Sequence, residues 1–192
     1  MTLPQAAALR QLKHRRHIDV QVFSRGNGLW EVDATLQDTK TRDSNLSDGP
    51  RPAGTPIHEM LVRLVINEQL DIVEAGSETR FMPYTGRCDQ HGDVYRQLVG
   101  LNLLKSFRRA LLEKLGGTRG CTHITELAMV LPTAVVQAFA GEVIDTRGIA
   151  EGASQPFQID RCHAMRSDGD AVRLFYPRWY RPAKAVRPDL NE

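Results

Sequence analysis

His17-Ile18-Asp19-Val20-Gln21-Val22-Phe23-Ser24-Arg25-Gly26-Asn27-Gly28-Leu29-Trp30-Glu31-Val32-Asp33-Ala34-Thr35-Leu36 is the stretch whose reading decides the fold. Before the glycines, Ile18, Val20 and Val22 alternate with Asp19, Gln21 and Phe23; after them Trp30, Val32 and Ala34 alternate with charged and polar neighbours. An extended chain sends successive side chains to opposite faces, so a period of two marks half-buried strands. Gly26-Asn27-Gly28 supplies the backbone freedom of a tight turn, and the stretch predicts a β-hairpin.

Downstream, Asp38 to Thr55 is polar and rich in Gly, Pro, Ser and Asp, with Asp48-Gly49-Pro50 at its centre, and reads as a surface loop. Alternation returns with Met60, Val62, Leu64 and Ile66. Asn67-Glu68 turns the chain, and Leu70, Ile72 and Val73 open a strand running to about Thr79. Two hairpins in succession predict an antiparallel sheet with one covered face.

From about Asp93 the period lengthens. Val94, Leu98 and Leu101, then Leu104, Phe107, Leu111, Leu112 and Leu115, recur at three-to-four spacing, which predicts two amphipathic helices broken near Gly100-Leu101-Asn102. Gly116-Gly117 ends the second. A third begins near Thr122, a good capping residue, and carries Ile124, Leu127, Val130, Leu131, Val135 and Phe139 toward Gly141, with a kink at Pro132. Phe157 to Asp160, and Ala171 to Tyr176 after Asp168-Gly169, read as extended again. The fold class is α+β: an antiparallel sheet of two N-terminal hairpins plus a C-terminal strand, with about three helices packed on one face. Residues 1–16 read as a flexible basic arm, 17–181 as one α+β domain and 182–192 as a disordered tail.

The 192 residues are 41% hydrophobic and 25% charged, which suits a globular chain able to bury a core. A formal net charge of +2 is too small to indicate a nucleic-acid or membrane partner. The most apolar stretch, Ala128 to Ala140, falls short of the roughly 20 residues that cross a bilayer. The N-terminus turns basic after Ala6-Ala7-Ala8-Leu9, the reverse of a secretory leader, and three widely spaced cysteines make no disulfide framework. The reading is a bacterial-style cytoplasmic protein with reduced thiols.

Chemistry concentrates in Leu115-Gly116-Gly117-Thr118-Arg119-Gly120-Cys121-Thr122-His123. The glycines admit close-approach backbone, and the helix start offers unpaired N–H groups and a positive dipole end. A thiol there shifts toward thiolate, the form that attacks electrophiles and binds metals. His123 is near enough to Cys121 to share a ligand or relay a proton, and Glu126, one turn on, can orient its imidazole. The bland alternative is a buried free thiol with a capping-region histidine. Cys88, after Pro83, Tyr84 and Gly86, and the pair Cys162-His163 are further ligand candidates for zinc or an iron–sulfur cluster if the fold brings them together. Their alternatives are a loop thiol and a half-buried strand pair. His58-Glu59 at a strand entrance reads as hydrogen-bonded scaffolding. Gly117, Arg119 and Gly120 can also cradle an anion, although no Walker or dinucleotide pattern is present. The tail interleaves Arg173, Arg178, Arg181 and Lys184 with Phe175, Tyr176, Trp179 and Tyr180. This reads as an amphipathic extension packed on the sheet in preference to a nucleic-acid surface.

Gly28-Leu29-Trp30-Glu31-Val32, Pro56-Ile57-His58-Glu59-Met60, Leu98-Val99-Gly100-Leu101 and the run from Gly116 to Leu127 occur in one order. In that order they resemble the uncharacterised bacterial family catalogued as domain of unknown function 2889, over roughly Arg15 to Gly141. Asp160-Arg161-Cys162-His163-Ala164 and Tyr176-Pro177-Arg178-Trp179-Tyr180 resemble one subgroup of it. The resemblance implies domain limits and no activity. A fold-level likeness to iron–sulfur scaffolds of the NifU and IscU type assigns Cys88 and Cys121 two cluster positions, although the scaffold's Gly-Asp beside a cysteine is missing.

Three functions follow as expectations. The first is a metal-binding protein, with zinc or an iron–sulfur species on Cys121 and His123, completed by Cys88 or by Cys162 and His163. The second is a cysteine-dependent enzyme with Cys121 as nucleophile and His123 or Glu126 as base, acting on a thioester or another acyl or phosphorylated small molecule. The third is a non-catalytic module for a small molecule or protein. The kinked last helix is a core helix in this reading, with self-association into a homo-oligomer as its alternative.

Overall fold

The computed structural model describes residues 2–149 and 152–183. By its internal contacts the chain divides into two compact units, Met1–Ala138 and Phe139–Glu192.

The first unit is built on a four-stranded antiparallel sheet. Its strands are β1 (His14–Gly26), β2 (Leu29–Lys40), β5 (Pro56–Asn67) and β6 (Ile72–Phe81), paired in the order β1-β2-β5-β6. Between β2 and β5 the short strands β3 (Ser44–Leu46) and β4 (Gly49–Arg51) make a separate two-stranded ribbon. The first turn has Gly26, Asn27 and Gly28 all at positive φ, which is what the glycines permit. The second uses the Asn67 side chain, whose Oδ1 accepts the amides of Gln69 and Asp71 at 3.0 and 2.9 Å.

The hairpins are longer than their apolar alternation. Strand β1 starts at His14, inside the segment read as an arm, and β2 continues past Leu36 to Lys40. The polar loop therefore starts after Lys40, because backbone pairing with both neighbours carries Gln37 and Asp38 along whatever their polarity. On the covered face Trp30, Val32, Ala34 and Leu36 lie opposite Ile66, Leu64, Val62 and Met60, all buried. Each valine, leucine, isoleucine and methionine among them contributes about 1.5–3 kcal/mol by leaving water.

The region read as two helices contains one. Val94–Leu98 is a short 3-10 turn, burying Tyr95 and Leu98, and α1 runs over Phe107–Leu115. Gly100 at φ 84° and an isolated bridge between Asp71 and Asn102 tie the intervening chain to the start of β6, leaving too few residues for a second α-helix. Helix α2 (Thr122–Phe139) contains Pro132 and buries Ile124, Leu127, Leu131 and Val135. Its first turn lies on the covered face of the sheet, where Glu126 meets Arg16 of β1.

The second unit corrects the expected C-terminal strand. Phe157 to Asp160 forms turns, with the Ile159 amide on the Pro156 carbonyl at 3.1 Å and Asp160 at φ 62°. Ala171 to Tyr176 falls within and just beyond α3 (Asp170–Phe175), with Asp170 and Arg173 paired one turn apart at 3.0 Å. Leu174 and Phe175 are 71% and 70% exposed. Alternation over so few residues, without a neighbouring strand to complete a ladder, does not outweigh local helical hydrogen bonds. Of the tail, 184–192 lies outside the described residues. No helix among the described residues is long and apolar enough to cross a membrane.

Candidate functional site

The row of inward side chains on β2 ends at Asp38, whose residue is 3% exposed. The strand register sets Arg16 of β1 opposite it on one side and His58 of β5 on the other. Arg16 grips the carboxylate with both arms, Nε to Oδ1 at 2.9 Å and Nη2 to Oδ2 at 2.8 Å. His14 Nε2 lies 3.1 Å from Oδ1 and His58 Nδ1 3.1 Å from Oδ2. The remaining Arg16 nitrogen, Nη1, donates to Glu126 at 2.7 Å.

Helix α2 delivers the other half. Cys121 stands at its start: the Cys121 carbonyl accepts the Thr125 amide at 2.9 Å, which sets the sulfur beside the first turn of the helix. The imidazole of His123 then stands between sulfur and carboxylate, with Nδ1 4.0 Å from Cys121 Sγ and Nε2 3.9 Å from Asp38 Oδ2. His58 stacks on His123 with ring centroids 3.9 Å apart.

These contacts set the protonation states. Burial pushes the Asp38 carboxyl up, but the Arg16 bond and charge, helped by His14 and His58, hold it below the ordinary carboxylate range. Burial and the charge of His123 push His58 down against the pull of Asp38, so His58 favours the neutral form. The bond to Cys121 lifts His123 despite burial. Burial raises the Cys121 thiol, but the hydrogen bond from His123 and the Ile124 and His123 amides outweigh it and bring the thiol below its ordinary value. The shifts of Cys121 and His123 both run in the sense that favours a thiolate–imidazolium pair, beside a carboxylate held ionised by Arg16.

Asp38, His58 and His123 also form a group able to hold a metal, their ligand atoms all lying within 4.8 Å of one another. Two features of the chain oppose this use. The Asp38 oxygens are already engaged by Arg16, a cation that repels another. The stacked imidazoles, 28° from parallel, do not aim their in-plane lone pairs at one point as tetrahedral ligands do.

The other residues singled out from the sequence lie as follows. Cys88 is a half-buried free thiol in the loop after β6, its amide bonded to the Tyr84 carbonyl. Cys162 and His163 are exposed, in the second unit. None of the three belongs to the ligand group found among the described residues. Glu126 pairs with Arg16, and the carboxylate beside His123 is that of Asp38. Gly117 has φ 64°, and Arg119 turns back to donate to the Leu112 carbonyl at the end of α1.

Sequence reasoning missed Asp38, Arg16 and His14, and gave His58 a scaffolding role. The available signal was periodicity: Asp38 continues the alternation of Trp30, Val32, Ala34 and Leu36.

The family model described as "Protein of unknown function (DUF2889)" matches residues 14–137, and the chain belongs to that family. Every residue of the site, from His14 to Glu126, lies inside the matched span. No curated protein and no solved structure matches the chain.

Proposed function

We propose that this member of the family is a thiol-dependent enzyme that transfers or hydrolyses acyl groups, with Cys121 as nucleophile, His123 as acid and base, and Asp38 as the residue that orients His123. One observation carries the reading: a single imidazole lies 4.0 Å from a thiol through Nδ1 and 3.9 Å from a buried carboxylate through Nε2. That is the thiol–imidazole–carboxylate order of nucleophilic catalysis, and both separations are of a kind that shortens when substrate binds.

In the reaction, the Cys121 thiolate adds to the acyl carbon of a thioester or ester. The leaving thiol or alcohol departs with the proton held by His123, and Cys121 is left acylated. A water molecule or acceptor alcohol then adds to the acyl carbon while His123 takes its proton. The acid or new ester leaves and the thiolate is restored. Arg16 keeps Asp38 ionised throughout, and Asp38 stabilises the imidazolium.

The test is mass spectrometry after exposure to p-nitrophenyl acetate and short acyl thioesters, beside alkylation by iodoacetamide across pH. The expected results are an acyl adduct on Cys121, absent in Cys121→Ser. Alkylation of Cys121 near pH 7 should also be slower in His123→Ala, by up to about 30-fold as the thiolate fraction returns to that of an ordinary thiol. Reactivity of Cys121 equal to that of Cys88 would overturn the reading. So would stoichiometric zinc or iron in anaerobically purified protein, lost in both Asp38→Asn and His123→Ala, which would replace it with a metal centre. Small-molecule or protein binding unchanged by Cys121→Ser, with no adduct in either protein, would favour a non-catalytic module.

A further inference from the structure

Tyr95 sits in the 3-10 turn Val94–Leu98 and is wholly buried, yet its hydroxyl is engaged from several sides. It accepts the Cys121 amide at 2.9 Å and donates to the Cys121 carbonyl at 2.8 Å. The Thr125 hydroxyl lies 2.9 Å away and itself reaches the Leu115 carbonyl at 3.3 Å. One phenol thus holds both backbone groups of the residue that carries the sulfur.

A second observation comes from Gly120. A Cβ built there would stand 2.9 Å from the Tyr95 hydroxyl and 2.7 Å from the Leu115 carbonyl oxygen, while its φ of −152° is ordinary extended backbone. Glycine at 120 is required by this close approach and by nothing in its own conformation. The glycine lets the tyrosine reach in, and the tyrosine fixes the peptide that follows.

We infer that Tyr95 is a positioning residue for Cys121: its hydroxyl clamps the peptide groups on both sides of the Cys121 Cα and so aims the sulfur at the first amides of α2 and at His123. The inference rests on the thiol reading proposed above and adds to it a residue, outside the thiol–imidazole–carboxylate set, on which nucleophilicity depends. The physical argument is directional. The sulfur stands 4.0 Å from His123 Nδ1 at the helix start only in this conformation, which is set by the backbone torsions of Cys121. With the phenol removed, the Cys121 amide is left buried beside a ring edge and turns to find another acceptor, carrying the sulfur out of line.

Tyr95→Phe keeps the ring and removes the hydroxyl, and Thr125→Val removes the neighbouring hydroxyl while keeping both bonds from Tyr95 to Cys121. The measurement is the rate of Cys121 alkylation by iodoacetamide across pH, with Cys88 in the same chain as internal reference and circular dichroism as the check on folding. For Tyr95→Phe the midpoint of the pH profile should rise by about one unit, so that below the wild-type midpoint alkylation falls about tenfold. Thr125→Val should keep the wild-type midpoint. A folded Tyr95→Phe with the wild-type midpoint would overturn the inference while leaving the thiol reading standing. So would equal shifts in both variants, which would make the effect one of general loosening. Wild-type Cys121 no more reactive than Cys88 would instead sink the thiol reading itself. If Tyr95→Phe does not fold, Tyr95 ring-fluorinated at the two positions beside the hydroxyl, which makes the phenol a weaker acceptor, should shift the midpoint in the same direction. An unshifted midpoint there would equally overturn the inference.

Discussion

The two ends of strand β2 carry the same architecture and opposite chemistry. At the turn end, Trp30 and Val32 face Ile66 and Leu64 across the ladder, and the row is hydrocarbon. At the other end the same alternation delivers Asp38 to the same face, flanked by Arg16 and His58 in the same register. Hydrocarbon needs only to leave water, whereas a buried carboxylate must be paired or it is expelled or protonated. Here Arg16, His14 and His58 meet that need, and Arg16 stays in touch with solvent at 36% side-chain exposure against 4% for Asp38. The core and the site are one row of side chains, divided only by polarity.

The comparison can be broken from either end. The largest effect belongs to the hydrocarbon. Leu64→Ala should destabilise the protein by about 2–5 kcal/mol, read from urea midpoints, with no pH dependence between 5 and 8 and with Cys121 alkylation unchanged. A matching loss of thiol reactivity would show that the two ends are not separable.

Asp38→Asn should cost about 2–3 kcal/mol at pH 7, through loss of charged hydrogen bonds, and should slow alkylation of Cys121. The folded carboxyl titrates below its usual range. Its stabilisation is therefore present above the unfolded value of about 3.9, and is lost as pH falls through the lower folded value. The gap between wild type and Asp38→Asn should hold down to about pH 4 and close below it. His58 works in the same sense at higher pH. Its folded state favours the neutral ring, so its contribution slips as pH falls below about 6.5, while His123, raised by its bond to Cys121, works in the opposite sense and loses its contribution as pH rises above that value. A gap between Asp38→Asn and wild type that closes near pH 6 would mean a histidine, not the carboxyl, governs the site.

The smallest effect lies on the opposite face of the same sheet. Arg63 grips Asp33 with two contacts of 2.6 Å, a geometry as good as that of Arg16 with Asp38, but its side chain is 62% exposed. Exposed pairs are screened and lose side-chain entropy, so Arg63→Ala should leave the urea midpoint within error of wild type. A loss comparable with that of Asp38→Asn would show that pairing geometry, not burial, sets the worth of these bridges.

Much of this was written in local pattern. A period of two marked β1, β2, β5 and β6, a period near 3.6 marked α1 and α2, and glycines before a capping position marked Cys121 and His123 as a helix-start pair. These features are legible because each depends on residues a few positions apart. The extension of β2 through Asp38 was not, because polar residues at a strand end look like a loop until a partner strand is known. The helix α3 was misread as a strand because a few alternating residues fit either state without a neighbour.

The sequence by itself determined the antiparallel hairpins, the α+β class and the thiol and imidazole at the start of α2. Only the tertiary structure decided that Asp38, Arg16, His14 and His58 meet that thiol and imidazole, and that Tyr95 holds Cys121 in place. The reason is distance along the chain. Cross-strand register and the docking of α2 bring together residues up to 110 positions apart, as in the bond from Arg16 to Glu126, and no local periodicity encodes such a meeting.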